Sequence, residues 1–115
     1  MSTLSKGQFA EQKACQFLQQ KGLTLIEKNY RCRNGEIDLI MLDKDQLVFV
    51  EVRFRKNEDY GTAIDSVDKH KVKKIISTAH HYLSKHQLDT PTCFDVVGFD
   101  ASLRPEWISD AFNAY

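Results

Sequence analysis

Two β-rich runs, Glu36 to Leu42 and Leu47 to Phe54, are separated only by Asp43, Lys44, Asp45 and Gln46. So short a polar connector joins them as an antiparallel hairpin, because a parallel pair needs a much longer crossover. The second run is apolar at Leu47, Val48, Phe49, Val50, Val52 and Phe54. Successive residues point to opposite faces of a strand, so both faces need cover and this strand belongs in the middle of a sheet. The hairpin therefore demands more strands beside it and helices over it.

The remaining segments can supply both. Ser5 and Gln8 make a capping-box pattern ahead of Ala10, Ala14, Phe17 and Leu18, which predicts a helix over Ser5 to Gln20 ending near Gly22. Leu23 to Tyr30 is compatible with a strand, and Arg31 to Gly35 with a turn. A polar loop over 55–65 precedes Ser66, the expected N-cap of a second helix reaching about His86, with Val72, Ile75, Ile76, Ala79, Tyr82 and Leu83 on its apolar face. Cys93 to Phe99 and Trp107 to Phe112 are two further expected strands. The order α-β-β-β-α-β-β predicts one mixed central sheet of about five strands flanked by two helices, an α/β or α+β architecture.

Composition narrows what such a chain can do. A length of 115 residues fits one domain, 1–115, and a hydrophobic content of 42% excludes a mainly disordered chain. Sixteen basic and sixteen acidic residues cancel, so any nucleic-acid role must rest on local clustering of charge. Cys15, Cys32 and Cys93 are odd in number and far apart, and the N-terminus has no apolar leader, which predicts a reduced, cytoplasmic protein. No apolar run approaches the ~18 residues of a membrane span. The cysteines and His70, His80, His81 and His86 lack the spacing of a zinc site.

The chemistry sits in the hairpin. With the turn centred between Lys44 and Asp45, Leu42 faces Leu47, Ile40 faces Phe49, and Asp38 faces Glu51. Directly opposed residues share a face with Cβ atoms about 4.5–5.5 Å apart, so two carboxylates meet side by side where like charges destabilise a sheet. Something positive is required. Arg53 lies on the same face as Glu51, and a divalent cation with hard oxygen ligands is the other candidate. Glu11 shares a helical stripe with Gly7, Ala14 and Leu18, which would bring it toward the sheet. Glu11, Asp38 and Glu51 around one site, with Arg53 beside it, suit Mg²⁺ (or Mn²⁺) and phosphodiester hydrolysis. Spacing alone leaves a second reading open, a structural ion-pair network.

Basic residues crowd two short stretches. Arg53, Arg55 and Lys56 close the central strand and Lys69, Lys71, Lys73 and Lys74 open the second helix, together seven of the sixteen bases. Cations at a helix N-terminus oppose the macrodipole, a placement that becomes favourable when an anion such as phosphate docks there. A merely solvated helix face is the alternative.

The run Gly35-Glu36-Ile37-Asp38-Leu39-Ile40, the twelve residues between Asp38 and Glu51, and Phe49-Val50-Glu51-Val52-Arg53 together resemble the YraN-like family of predicted endonucleases. That family is similar to archaeal-type Holliday junction resolvases of the restriction-endonuclease-like PD-(D/E)XK superfamily. The resemblance extends from Gly7 and Glu11 through Asn29 and the hairpin to Lys71, Ala79 and Asp95-Val96-Val97. It implies a restriction-endonuclease-like fold, metal binding by Glu11, Asp38 and Glu51, and Arg53 at the superfamily's lysine position. A guanidinium stays protonated at any accessible pH, so Arg53 cannot act as a general base toward water, though it can orient and stabilise a phosphate.

Two functions fit these residues. One is a Mg²⁺-dependent endonuclease on DNA, branched or structured DNA included, with Arg55, Lys56, Lys71 and Lys74 on the backbone; a symmetric junction cutter is expected to be a homodimer. The other is a non-catalytic module on the same fold that binds nucleic acid or protein.

Overall fold

The computed structural model describes residues 4–54 and 67–113. The chain runs α1 (Lys6–Gln20), β1 (Thr24–Cys32), β2 (Gly35–Asp43), β3 (Gln46–Phe54), α2 (Lys69–Lys85), β4 (Thr92–Phe99) and β5 (Pro105–Ile108). The strands form one sheet in the order β1-β2-β3-β4-β5. Only the β3–β4 pairing is parallel, and α2 is the crossover that this direction requires. The sheet is thus mixed, α/β, with the predicted element order and β3 at its centre.

Local chemistry explains most element boundaries. Ser5 caps α1 in a reciprocal box: its Oγ accepts from Gln8 N at 3.1 Å and Gln8 Oε1 accepts from Ser5 N at 3.0 Å. Gly22 follows the helix at φ 100°, the left-handed position that suits glycine past a helix end. Asp68, not Ser66, caps α2, its carboxylate accepting from Lys71 N at 2.8 Å; Ser66 lies outside the described residues. The first turn is also tighter than the sequence suggested, since β1 runs on to Cys32 and β2 starts at Gly35. Gly35 has φ 154°, and a Cβ there would stand 3.1 Å from Thr78 Oγ1 on α2, so only glycine lets the turn pass so close to the helix.

The hairpin keeps the expected register: Leu42 pairs with Leu47 and Ile40 with Phe49, around a two-residue turn in which Lys44 has φ 59°. Alternation along β3 then sends side chains to two separate cores. Val48 and Val50 join Leu39 and Met41 under Ala10, Ala14 and Leu18 of α1. Leu47 and Phe49 join Ile37 and Ile40 under Ile75, Ala79 and Tyr82 of α2. Each fully buried aliphatic or aromatic side chain contributes roughly 1.5–3 kcal/mol, so both helices are held by packing more than by propensity.

The last expected strand is shorter than the apolar pattern implied. Trp107 packs edge-on against Phe17 of α1, 6.1 Å between centroids. β5 nevertheless stops at Ile108, because Asp110 adopts φ 54° and turns its N–H onto the Asp95 carboxylate at 2.9 Å. Ala111 N then bonds to Phe94 O, and Phe112 stacks on Phe94. No described helix is long and apolar enough to cross a membrane.

Candidate metal centre

The pairing of β2 with β3 is regular from Asp43–Gln46 to Leu39–Val50 and then changes character. Ile37 packs in the α2 core although Leu39, two residues away, packs in the α1 core. A regular strand would send both the same way, so side-to-side alternation breaks at Asp38. On β1 the residue between Lys28 (opposite Leu39) and Tyr30 (opposite Ile37) is Asn29, with φ 53°. The interruption frees the Asp38 side chain to join β3 itself: Oδ2 accepts from Val52 N at 2.8 Å, where a ladder would offer a carbonyl.

Re-aimed in this way, Asp38 is the meeting point of the acids. Carboxylate oxygens of Glu11 on α1 and of Glu36 and Asp38 on β2 lie within 4.8 Å of one another, all three partly exposed. Glu51 on β3 reaches this group through Asp38, to which its carboxyl is hydrogen-bonded. The predicted acids Glu11, Asp38 and Glu51 are therefore brought to one corner. The close group, however, has Glu36 where the sequence reading had Glu51. Glu36 and Asp38 are two apart on one strand, and that i, i+2 spacing was the signal available for it. Glu36 also pairs with Arg31 across the strands at 3.2 Å.

The cations stand on the Glu51 side. β3 alternation puts Glu51 and Arg53 on the α2 face, where Lys71, in the helix's first turn, brings Nζ to 3.4 Å of Glu51 Oε2; Arg53 Nε is at 3.7 Å. Neither distance is that of a short charge-assisted hydrogen bond. Arg53 Nε is buried with no hydrogen-bond partner among the described residues. Lys74, one turn beyond Lys71, is exposed beside Gly35. Arg55 and Lys56 lie outside the described residues.

The electrostatics record the crowding. Glu51, only 3% exposed, is pushed up to about 8, first by burial and then by its bond to Asp38 and that group's charge. Lys71 and Arg53 pull the other way without offsetting it, as their separations suggest. Glu11 is also raised, by burial first and then by the Asp38 charge, with Asn29 hydrogen-bonded to Glu11 and opposing the rise. Carboxyls that raise one another's pKa form a donor set that gains from a cation, and their hard oxygens suit a divalent ion. The triad is thus able to hold a metal ion.

A mixed sheet between two helices, with acids from α1 and the central hairpin converging at one corner and cations beside them, has the make-up of a nuclease-like α/β protein. Residues 10–99 match the profile of "Uncharacterised protein family UPF0102". A "UPF0102 protein" of Psychromonas ingrahamii is 54% identical over 111 residues, covering 95% of this chain and 90% of its own length. Another from Nitrosomonas eutropha is 51% identical over 112 residues, covering 97% of each. A third, from Legionella pneumophila, is 44% identical over 115 residues, covering 97% of this chain and 98% of its own length. The chain belongs to the UPF0102 family, the YraN-like family whose motifs it carries.

Proposed function

We propose that this chain is a metal-dependent endonuclease that hydrolyses phosphodiester bonds in DNA, branched or structured DNA included, with Mg²⁺ or Mn²⁺. The observation that carries the reading is the acidic corner: three carboxylates within 4.8 Å of one another and a fourth, buried one bonded to Asp38. Like charges gathered at this density are costly unless a cation joins them. Glu11, Glu36 and Asp38 would hold the ion, with Glu51 beside it, and Mg²⁺ needs only one or two such carboxylates plus water. When bound, the ion supplies activation of water and neutralisation of charge on the transferring phosphoryl group.

The chain's own residues divide the remaining work. A guanidinium does not accept a proton from water; Arg53, whose Nε is buried toward Glu51 while its side chain stays partly exposed, instead offers its outer N–H groups to a phosphate oxygen. Lys71 offers a second cation on the same side, and Lys74 on the same helical stripe extends the contact along the backbone. Glu51, pushed up to about 8, keeps its proton at neutral pH and donates it toward Asp38, whose Oδ2 also accepts from Val52 N–H. A two-fold dimer suits a symmetric junction, and the short edge strand β5 is one surface on which it could form.

The second reading, a non-catalytic binding module, is favoured by one observation: Glu51 already has Lys71 and Arg53 as counter-charges. Calorimetric titration with Mg²⁺ and Mn²⁺, alongside cutting of branched and linear DNA, separates the two. Wild type should take up the ion and cut, and Asp38→Ala should lose cutting by about 10³-fold, several kcal/mol of transition-state stabilisation. If wild type takes up no ion even with DNA present, the module is the correct reading.

A further inference from the structure

Beyond the acidic corner, a cleft of about 320 Å³ opens between the start of α1 and β1, lined by Leu4, Gln8, Glu11, Gln12, Lys28 and Asn29. Its size is at the lower end of the range for small-ligand sites. Glu11 is a wall shared by the cleft and the close carboxylate group, so whatever enters the cleft lies directly beside the place where a scissile phosphate would sit. Asn29 is the hinge between the two. Its backbone is left-handed, at φ 53°, a conformation that asparagine adopts more readily than other non-glycine residues, and its side chain reaches Glu11.

The lining chemistry is not that of a phosphate site. It has one cation, Lys28, against one carboxylate, Glu11, together with three carboxamides and the aliphatic Leu4, which is 45% exposed. Of the amides, Gln8 has its Oε1 engaged by Ser5 N–H, which leaves its N–H₂ as a donor. Gln12 is exposed. Carboxamides pair with the edges of nucleobases through paired donors and acceptors, while an aliphatic side chain covers the base's flat face. A base inside a duplex has its pairing edge occupied and is stacked on both sides, so only an unpaired base can enter.

We propose that this cleft seats an unpaired nucleobase adjacent to the scissile phosphate, which directs the acidic corner to nucleotides outside a duplex. The inference rests on the nuclease reading for the position of the phosphate, but its test does not depend on hydrolysis. The probes are a short single-stranded thymidine oligonucleotide and an abasic chain of the same length, each titrated into the full-length ¹⁵N-labelled protein without added metal. The thymidine chain should bind about tenfold tighter than the abasic one, the effect expected of a single well-seated base. The side-chain amide signals of Gln12 and Asn29 should shift with the thymidine chain alone. Gln12→Ala, a change on an exposed helix position, should bring the two affinities together without altering that for the abasic chain. Equal affinities in wild type, or amide signals that stay in place, would overturn the proposal. A base-dependent affinity in a protein that takes up no Mg²⁺ would keep the cleft and remove the nuclease; metal-dependent cutting with no base dependence would do the reverse.

Discussion

Two carboxyl groups are buried to the same degree on neighbouring strands, and they are held in opposite ways. Asp95 of β4 is 2% exposed and receives three short bonds, from Cys93 Sγ at 2.8 Å, Trp107 Nε1 at 2.9 Å and Asp110 N at 2.9 Å. Glu51 of β3 is 3% exposed and, among the described residues, has a neighbouring acid and two cations at 3.4 and 3.7 Å. The first is a knot: every donor has its acceptor, and the arrangement ties β4 to β5 and to the turn after it. It also presses on its neighbour, since burial and the Asp95 contact push the Cys93 thiol up to about 12, an inert thiol by that measure. The second is a site with unused capacity. Equal burial therefore says little about role, and partner count says much.

Substitutions can break this comparison or refine it. The largest effect is expected at the knot. Asp95→Ala leaves the Trp107 and Asp110 N–H groups without an acceptor and should cost about 3–5 kcal/mol in denaturant unfolding. A loss under about 1 kcal/mol would show that the knot is not structural.

A smaller effect, of the opposite sign, belongs to Glu51→Gln. Between about 4.5, the ordinary carboxyl value, and about 8, the folded protein keeps a proton that the unfolded chain has released. Wild-type stability is therefore complete at the acid end and falls as pH rises through that window. The glutamine keeps the shape without the titration, so with EDTA present it should match wild type near pH 5 and exceed it by on the order of 2 kcal/mol at pH 9. The same change should weaken Mn²⁺ binding. Melting curves that differ equally at both pH values would refute the assignment.

The smallest effect is expected at the lysines. Lys71→Ala and Lys74→Ala should each lower the salt dependence of DNA binding by about one unit of log–log slope, measured by fluorescence polarisation. An unchanged slope would leave Lys71 as a partner of Glu51 alone.

How much of this was legible in the sequence follows the same division. The hairpin register could be read because a four-residue polar connector between two apolar runs admits few alignments, and Leu42–Leu47 and Ile40–Phe49 pair as that alignment requires. The capping box of α1 was equally plain, since Ser5 and Gln8 need only each other. Harder was everything set by a departure from regular geometry. Strict alternation predicts Asp38 simply opposite Glu51, whereas the break at Asp38 makes its side chain a partner of Val52 N–H. The end of β5 depends on Asp110 finding Asp95, fifteen residues away, which no local pattern announces. The basic run points Lys71 to a phosphate; its approach to Glu51 depends on how α2 crosses from β3 to β4.

The bond from Val52 N to Asp38 Oδ2 gives the sheet one rung made from a side chain. A main-chain carbonyl carries no net charge, whereas an ionised carboxylate does. Asp38 thus has two tasks at once, closing the central strand at Val52 and belonging to the close carboxylate group. A substitution that removes this carboxylate takes a rung from the middle strand as well as an acid from the corner.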